Sequence, residues 1–286
     1  MKRVWNQFTS AARQLFRHWG ALLILLLLYL AMLGATYQFF VTREATIVQL
    51  ILSVVLALIA PILFLVIQVM AARYDRQHQR AWGLLGGSLR DFWKALVISL
   101  PLILIAAVAL YLFTKPAAPA PTSPATSVVR DAARTPPATP RPVAPKPPAA
   151  TWQSVAVSTL EYLLFCLILP LAAIHLWIGT AREGLAPTFK QFHRILGRAF
   201  APRSVVIYVI GFVFFAVVPY FLIVTRTPVN TPWLDAGLLV TRLTLAMLLS
   251  LIGWVVTVGA LGKQDERGAA AVAQPSQGAG HVPAEA

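Results

Sequence analysis

Five stretches of this chain run for about 18 residues or more without an Asp, Glu, Lys or Arg: Gly20 to Thr42, Ala45 to Ala72, Ala95 to Thr114, Val205 to Thr225 and Leu243 to Gly262. That is the length an α-helix needs to cross a hydrocarbon core roughly 30 Å thick, where backbone polar groups must be satisfied within the segment itself. A sixth stretch, Val155 to Gly179, contains only Glu161, and the last is extended at its start to include Arg242. Composition agrees, with 58% hydrophobic and only 12% charged residues. The expected fold is an all-α membrane protein with six transmembrane helices.

Residues 115–150 interrupt this pattern. They hold 11 of the 21 prolines and carry almost no apolar periodicity. Such a segment cannot pack a core, and is expected to be disordered with polyproline-II character, reaching at most about 110 Å. It reads either as a tolerated solvated insertion or as a site for a periplasmic or cell-wall partner. The organisation expected is a membrane region at 1–114 with spans one to three, the loop at 115–150, a second membrane region at 151–263 with spans four to six, and a disordered tail at 264–286.

Lys and Arg set the orientation, because basic flanks are retained on the cytoplasmic side. With the N-terminus inside, the inner segments hold 16 of the 24 basic residues and the outer segments hold seven, five of them in the long loop. Both termini are therefore expected to be cytoplasmic. The first apolar run is too long for a signal peptide and has no clear small-residue cleavage site, so it reads as an uncleaved anchor. A net charge of +14 could suggest nucleic acid, yet the basic residues lie around helix ends rather than along one soluble face. The partner implied is anionic lipid headgroups. Cys166, the single cysteine, excludes an internal disulfide and reads as a small buried hydrophobe in the fourth span.

The segment TFKQFHRILGRAF, residues 188–200, lies between two spans. Phe189, Phe192, Leu196 and Phe200 recur at helical spacing beside a basic row of Lys190, Arg194 and Arg198, and Thr188 with Gln191 suggests a capping box. The same apolar spacing occurs at Trp82, Leu85, Leu89 and Trp93, and at Phe8, Ala11, Leu15 and Trp19. LFRHWGALL at 15–23 also lies in register with LRDFWKALV at 89–97, while the apolar stretches around Pro61, Pro170 and Gly253 correspond. These agreements predict a pseudo-threefold repeat of an interfacial helix, an outward span and an inward span. Each interfacial helix is expected to lie in the membrane plane, apolar face in the acyl boundary and charges among headgroups. Arg90, Lys94, Lys190, Arg194 and Arg198 are the candidate contacts to anionic lipid. GLLGG, residues 83–87, lacks the ending of a phosphate loop and reads as a break between helical pieces.

At TAREGLAPTFKQFHRILGRAFAP, residues 180–202, the chain resembles bacterial six-span inner-membrane families in which interfacial helices alternate with hairpins. It is also similar to the membrane region attached to some glycerophosphodiester phosphodiesterases. The resemblance covers the spans and not the proline-rich loop, and it implies a membrane module of the bacterial inner membrane. The soluble phosphodiesterase barrel of those fusions is absent, so no catalytic residue carries over. Mitochondrial carriers also have three paired spans with short surface helices, but the positions around Pro61 and Pro170 lack the charged residues of the carrier signature.

The five histidines, His18, His78, His175, His193 and His281, show no metal-ligand spacing, and neither a nucleophile with its base nor a dinucleotide loop is evident. No catalytic residue, cofactor or metal is expected. His175, inside the fourth span, reads as a hydrogen-bonded structural residue ahead of a proton carrier. Tyr29, Tyr37, Gln49 and Gln68 read as interhelical or interfacial contacts. Glu161 and Arg242 each stand nine residues beyond a tryptophan, Trp152 and Trp233, which places both about 13 Å along their helices from the aromatic belt. An intramembrane ion pair between them is expected if their helices adjoin, because opposite charges at one depth relieve the cost of burying either; the alternatives are a protonated Glu161 and an Arg242 that snorkels outward. Two functions follow from different classes. One is a non-enzymatic membrane-organising or accessory protein that engages anionic lipid through basic interfacial helices. The alternative is a small-solute or lipid transporter with a site near Glu161 and Arg242.

Overall fold

The computed structural model describes residues 2–42, 46–74, 80–114, 152–225 and 231–273. The loop at 115–150 and the tail at 274–286 lie outside the described residues. All regular structure among the described residues is helical, in the order α1 (Lys2–Arg17), α2 (Trp19–Val41), α3 (Ile47–Arg73), α4 (Ala81–Thr114), α5 (Trp152–Leu163), the π-helical segment π1 (Leu164–Ile168), α6 (Leu169–Glu183), α7 (Leu185–Lys190), α8 (Phe192–Ala199), α9 (Pro202–Phe212), a second π-helical segment π2 (Val213–Val217), α10 (Val218–Val224) and α11 (Pro232–Ala273).

Six stretches of described helix are long and apolar enough to cross a membrane: Trp19–Val41, Ile47–Arg73, Ala81–Thr114, Val155–Glu183, Pro202–Val224 and Pro232–Gln264. The chain is a multipass membrane protein. α2 packs on α3 and α10 on α11, while α4 packs on α6. The core lies toward the end that holds α1, α7 and α8. There α3 is buried on every face from Leu65 to Ala72, α6 from Leu171 to Ile178, and α11 from Val255 to Gly262, as expected of helices surrounded by others. Toward the far end the same bundle splays and presents large apolar side chains, among them Phe40, Ile47, Leu104, Leu160 and Trp233. Trp152 and Trp233 stand exposed there, at the starts of α5 and α11.

Local chemistry explains several boundaries. α3 starts with a full capping box: the Thr46 hydroxyl accepts from the Gln49 backbone N–H, and the Gln49 side chain accepts from the Thr46 backbone N–H. α6 ends at Gly184, whose φ of 89° is open to glycine at little cost and turns the chain into α7. π1 and π2 share a pattern. Each ends two residues before a proline, Pro170 or Pro219, and each closes with an N–H bonded five residues back, Leu169 to Leu164 and Val218 to Val213. A proline ring collides with the carbonyl four residues earlier, and one widened turn moves that carbonyl aside. Pro61 and Pro101 instead stand within the continuous helices α3 and α4, so the sequence likeness of Pro61 to Pro170 does not extend to local geometry.

The three segments read as interfacial helices differ in placement. α1 is a separate helix, but Phe8, Ala11 and Leu15 are buried in the core with Val4, and α1 packs on α11 and α2. Its apolar face therefore meets protein. In the second unit, residues 81–94 continue without interruption into the span as α4, and the three glycines of GLLGG are helical rather than a break. Twenty further residues of helix, Ala95 to Thr114, hold that segment in line, which outweighs the weak helix preference of glycine. In the third unit α7 and α8 are short pieces. The expected cap at Thr188 does not form. Thr188 lies inside α7 and its hydroxyl donates to the Gly184 carbonyl, while Gln191 joins the two pieces without a side-chain cap. The tail boundary expected at 264 also shifts, since α11 runs on to Ala273.

Candidate functional site

Basic side chains at the end holding α1, α7 and α8 divide into two groups. One group knits the bundle. Arg73, at the end of α3, sets its Nη2 2.6 Å from Asp91 Oδ2 on α4, donates from Nη1 to the Gly87 carbonyl at 3.2 Å, and reaches the Ala181 carbonyl of α6 at 3.4 Å. Lys94 Nζ lies 2.7 Å from the other Asp91 oxygen. Arg182 donates to the Gly262 carbonyl at 2.7 Å, tying α6 to α11, and Lys263 donates to Ser10 on α1 at 3.2 Å. Ser204 links α9 to α8 through the Arg198 carbonyl and accepts from Gln264 of α11. Charges held this way satisfy carbonyls and carboxylates where water is scarce.

The second group faces outward. Arg90, Lys190, Arg194 and Arg198 are exposed, and α7 packs against α4, so the row on α7 and α8 adjoins the helix that bears Arg90. Lys94, expected to join this set, is half-buried and neutralised by Asp91. Phe189 and Phe200 are exposed beside the basic row, with Phe192 and Leu196 half-buried.

Glu161 and Arg242 are not brought together. Arg242 Nη1 donates to the carbonyl of Thr225, where α10 ends, so its charge is held within its own hairpin. Glu161 is half-buried and has no hydrogen bond or ion pair among the described residues. Equal depth along two helices does not determine which helices adjoin. His175 is buried; its Nδ1–H donates to the Leu171 carbonyl at 3.0 Å, while its Nε2 is buried with no hydrogen-bond partner among the described residues. Tyr37 is exposed at the far end of α2. Cys166 is exposed rather than buried, because the fourth helix leaves its neighbours at π1.

Between the charge layer and the far end lies a cavity of about 450 Å³, walled by α3, α4, π1, α6, α9, π2 and α11. Seven aromatic rings line it: Phe64, Phe165, Trp177, Tyr208, Phe212, Phe215 and Trp254. They meet edge to face, Phe64 on Trp177 at 5.8 Å and Phe215 on Trp254 at 5.0 Å between centroids. Phe64, Phe215 and Trp254 also bound a second cavity of about 190 Å³, toward Tyr29 and Ser250 on α2 and α11. Polar atoms around these spaces are already engaged. Trp177 Nε1 donates to Ser99 Oγ at 2.8 Å, Ser99 donates to the Ala95 carbonyl at 2.6 Å, and Trp254 Nε1 donates to Gln68 Oε1 at 2.7 Å. Tyr208 donates to the Cys166 carbonyl at 2.8 Å. That carbonyl lies four residues before Pro170, which has no N–H to offer it. Asp91, Tyr208 and the two aromatic donors escape a reading based on charge-free windows, although Pro170 and Pro219 signal where the helices widen. No family model matches the chain, and neither a curated protein nor a solved structure matches it.

Proposed function

We propose that this chain is a non-enzymatic, membrane-organising protein of the bacterial cytoplasmic membrane that gathers anionic lipid at its basic end. The observation that carries this reading is the division of cations. Arg73, Lys94 and Arg182 spend their charge inside the bundle, whereas Arg90, Lys190, Arg194 and Arg198 are exposed beside exposed aromatic rings. A basic row flanked by aromatic side chains suits the headgroup boundary, where each cation contributes about 1 kcal/mol toward an anionic surface. The excess of Lys and Arg at this end supports a cytoplasmic location for it and for both termini.

The test uses the full chain purified gently from its membrane, with co-purifying lipids quantified by mass spectrometry. Wild-type protein is expected to retain anionic phospholipid in excess of its share in the membrane, with the excess falling as salt is raised. The variant Lys190→Gln, Arg194→Gln, Arg198→Gln is expected to lose most of that excess while remaining folded. Equal retention by the two proteins would overturn the reading.

A further inference from the structure

The walls from α3, α4, α9 with π2, and α11 place the aromatic cavity at a consistent depth, while Phe165 and Cys166 of π1, seventeen and sixteen residues short of Arg182, extend it to roughly 24 to 26 Å from the charge layer. Ser99 and Ala106 lie five and twelve residues beyond Lys94, Tyr208 and Phe215 lie five and twelve beyond Arg203, and Phe64 and Trp254 lie nine residues short of Arg73 and Lys263. At 1.5 Å per residue these walls stand roughly 8 to 18 Å inside the charge layer, within a hydrocarbon core roughly 30 Å thick. The space has an edge on the outside of the protein, since Ile103 of α4 and Cys166 of π1 both line it and both are exposed.

Three kinds of content can be compared. Water needs polar partners, and the Ser99, Trp177, Tyr208 and Trp254 groups here are bonded to protein. Vacancy would forfeit dispersion contacts along an aromatic wall. Hydrocarbon enters from the side, matches the wall chemistry and leaves no polar atom unsatisfied. A volume of about 450 Å³ is within the range of ligand pockets, about 300 to 1,000 Å³.

We propose that this cavity is a binding site for one hydrocarbon chain of a membrane lipid, entered sideways between α4 and π1. The site is separate from the basic row on α7 and α8, and it recognises the chain whatever the headgroup. Widening at π1 and π2 shapes the wall: it sets Cys166 at the edge and leaves the Cys166 carbonyl to Tyr208.

The experiment uses the full chain in lipid nanodiscs doped with a phospholipid that carries a diazirine at mid-chain, with a diazirine-bearing free fatty acid as a second arm. After irradiation, adducts are mapped by peptide mass spectrometry. Adducts on Cys166 and Phe212 are expected to exceed those on Leu27 and Leu30, exposed on α2, by about threefold, the size of a typical intramembrane contact. Whichever of the two reagents gives this excess identifies the source of the chain. Ala106→Phe, which narrows the cavity, is expected to abolish the excess without changing adducts on α2. Ile103→Trp, at the exposed edge, serves the same purpose where Ala106→Phe fails to fold. The excess should survive in the Lys190→Gln, Arg194→Gln, Arg198→Gln variant, so the two proposals fail separately. Equal labelling of the cavity and α2 with both reagents, or an excess that a folded filled variant retains, would overturn the site.

Discussion

Removing the Asp91 carboxylate should destabilise this protein more than removing any single cation around it. Asp91 is the one acceptor shared by Arg73 and Lys94, and its side chain is only 9% exposed against 17% for Arg73 and 29% for Lys94. Breaking a buried pair from one side costs about 3 to 5 kcal/mol, mostly because the remaining charge stays buried without its partner. Arg73 would keep its bonds to the Gly87 and Ala181 carbonyls, at 3.2 and 3.4 Å, so the lower end applies. Asp91→Ala is therefore expected to cost about 3 kcal/mol, roughly a hundredfold in the folded-to-unfolded ratio. Lys94→Ala removes the more exposed partner and should cost about 0.5 kcal/mol. The double variant Arg73→Met, Asp91→Leu should recover much of the loss, because no unpaired charge remains. Unfolding by sodium dodecyl sulfate in mixed micelles, followed through tryptophan fluorescence, measures all three. An Asp91→Ala cost no larger than that of Lys94→Ala, or a double variant as unstable as Asp91→Ala, would refute the reasoning.

Three further outcomes are expected from the same unfolding assay. Tyr208→Phe should cost about 1 kcal/mol by orphaning the Cys166 carbonyl, and the loss should shrink in a Pro170→Ala background, where a backbone N–H is available again. Gly211→Ala would place a methyl 2.6 Å from Thr257 Cγ2. Thr257 is buried and β-branched, so overpacking should cost about 1 to 3 kcal/mol and be relieved by adding Thr257→Ala. Glu161→Ala and Arg242→Ala should add within about 0.5 kcal/mol, since the two side chains are not in contact; a coupling energy well above that would show them paired in the membrane.

The six spans were legible because a charge-free window of helical length has few other uses in a protein, and five needed nothing more than that rule. What the window could not show is the face each helix buries. Glu161 and Arg242 illustrate the limit: depth follows from counting residues along one helix, whereas adjacency depends on how helices cross, and Arg242 found a backbone carbonyl in its own hairpin. Cys166 shows the same limit, being apolar in type but exposed where the fourth helix diverges at π1. Asp91 is inconspicuous in the sequence for a different reason. In a segment dominated by basic residues an isolated acid has little weight in a charge count, yet it is the group around which those bases are arranged.

The three aromatic and aliphatic ladders show most clearly how spacing and placement come apart. In α1 the ladder is itself the buried stripe, Phe8, Ala11 and Leu15, and Ala11 lets the end of α3 approach until the Tyr74 hydroxyl reaches its carbonyl at 3.4 Å. In α4 the buried positions are instead Leu84, Ser88, Asp91 and Ala95, and Leu84 and Ser88 each precede a ladder residue, Leu85 and Leu89, by one. In α7 and α8 they are Thr188, Ile195 and Ala199, again one residue ahead of Phe189, Leu196 and Phe200. One residue is a rotation of about 100° on a helix. The stripe chosen for burial in these two units is rich in small and polar side chains, which allow close approach and hydrogen bonding where lipid removes the usual gain from burying bulk. Aromatic bulk is thereby turned to the flank, and Trp82, Trp93, Phe189 and Phe200 are exposed. A ladder read for hydrophobicity alone points all three helices the same way. Weighing small residues as the buried face separates α1, which braces the bundle, from the two units whose aromatic and basic side chains remain available to the membrane surface.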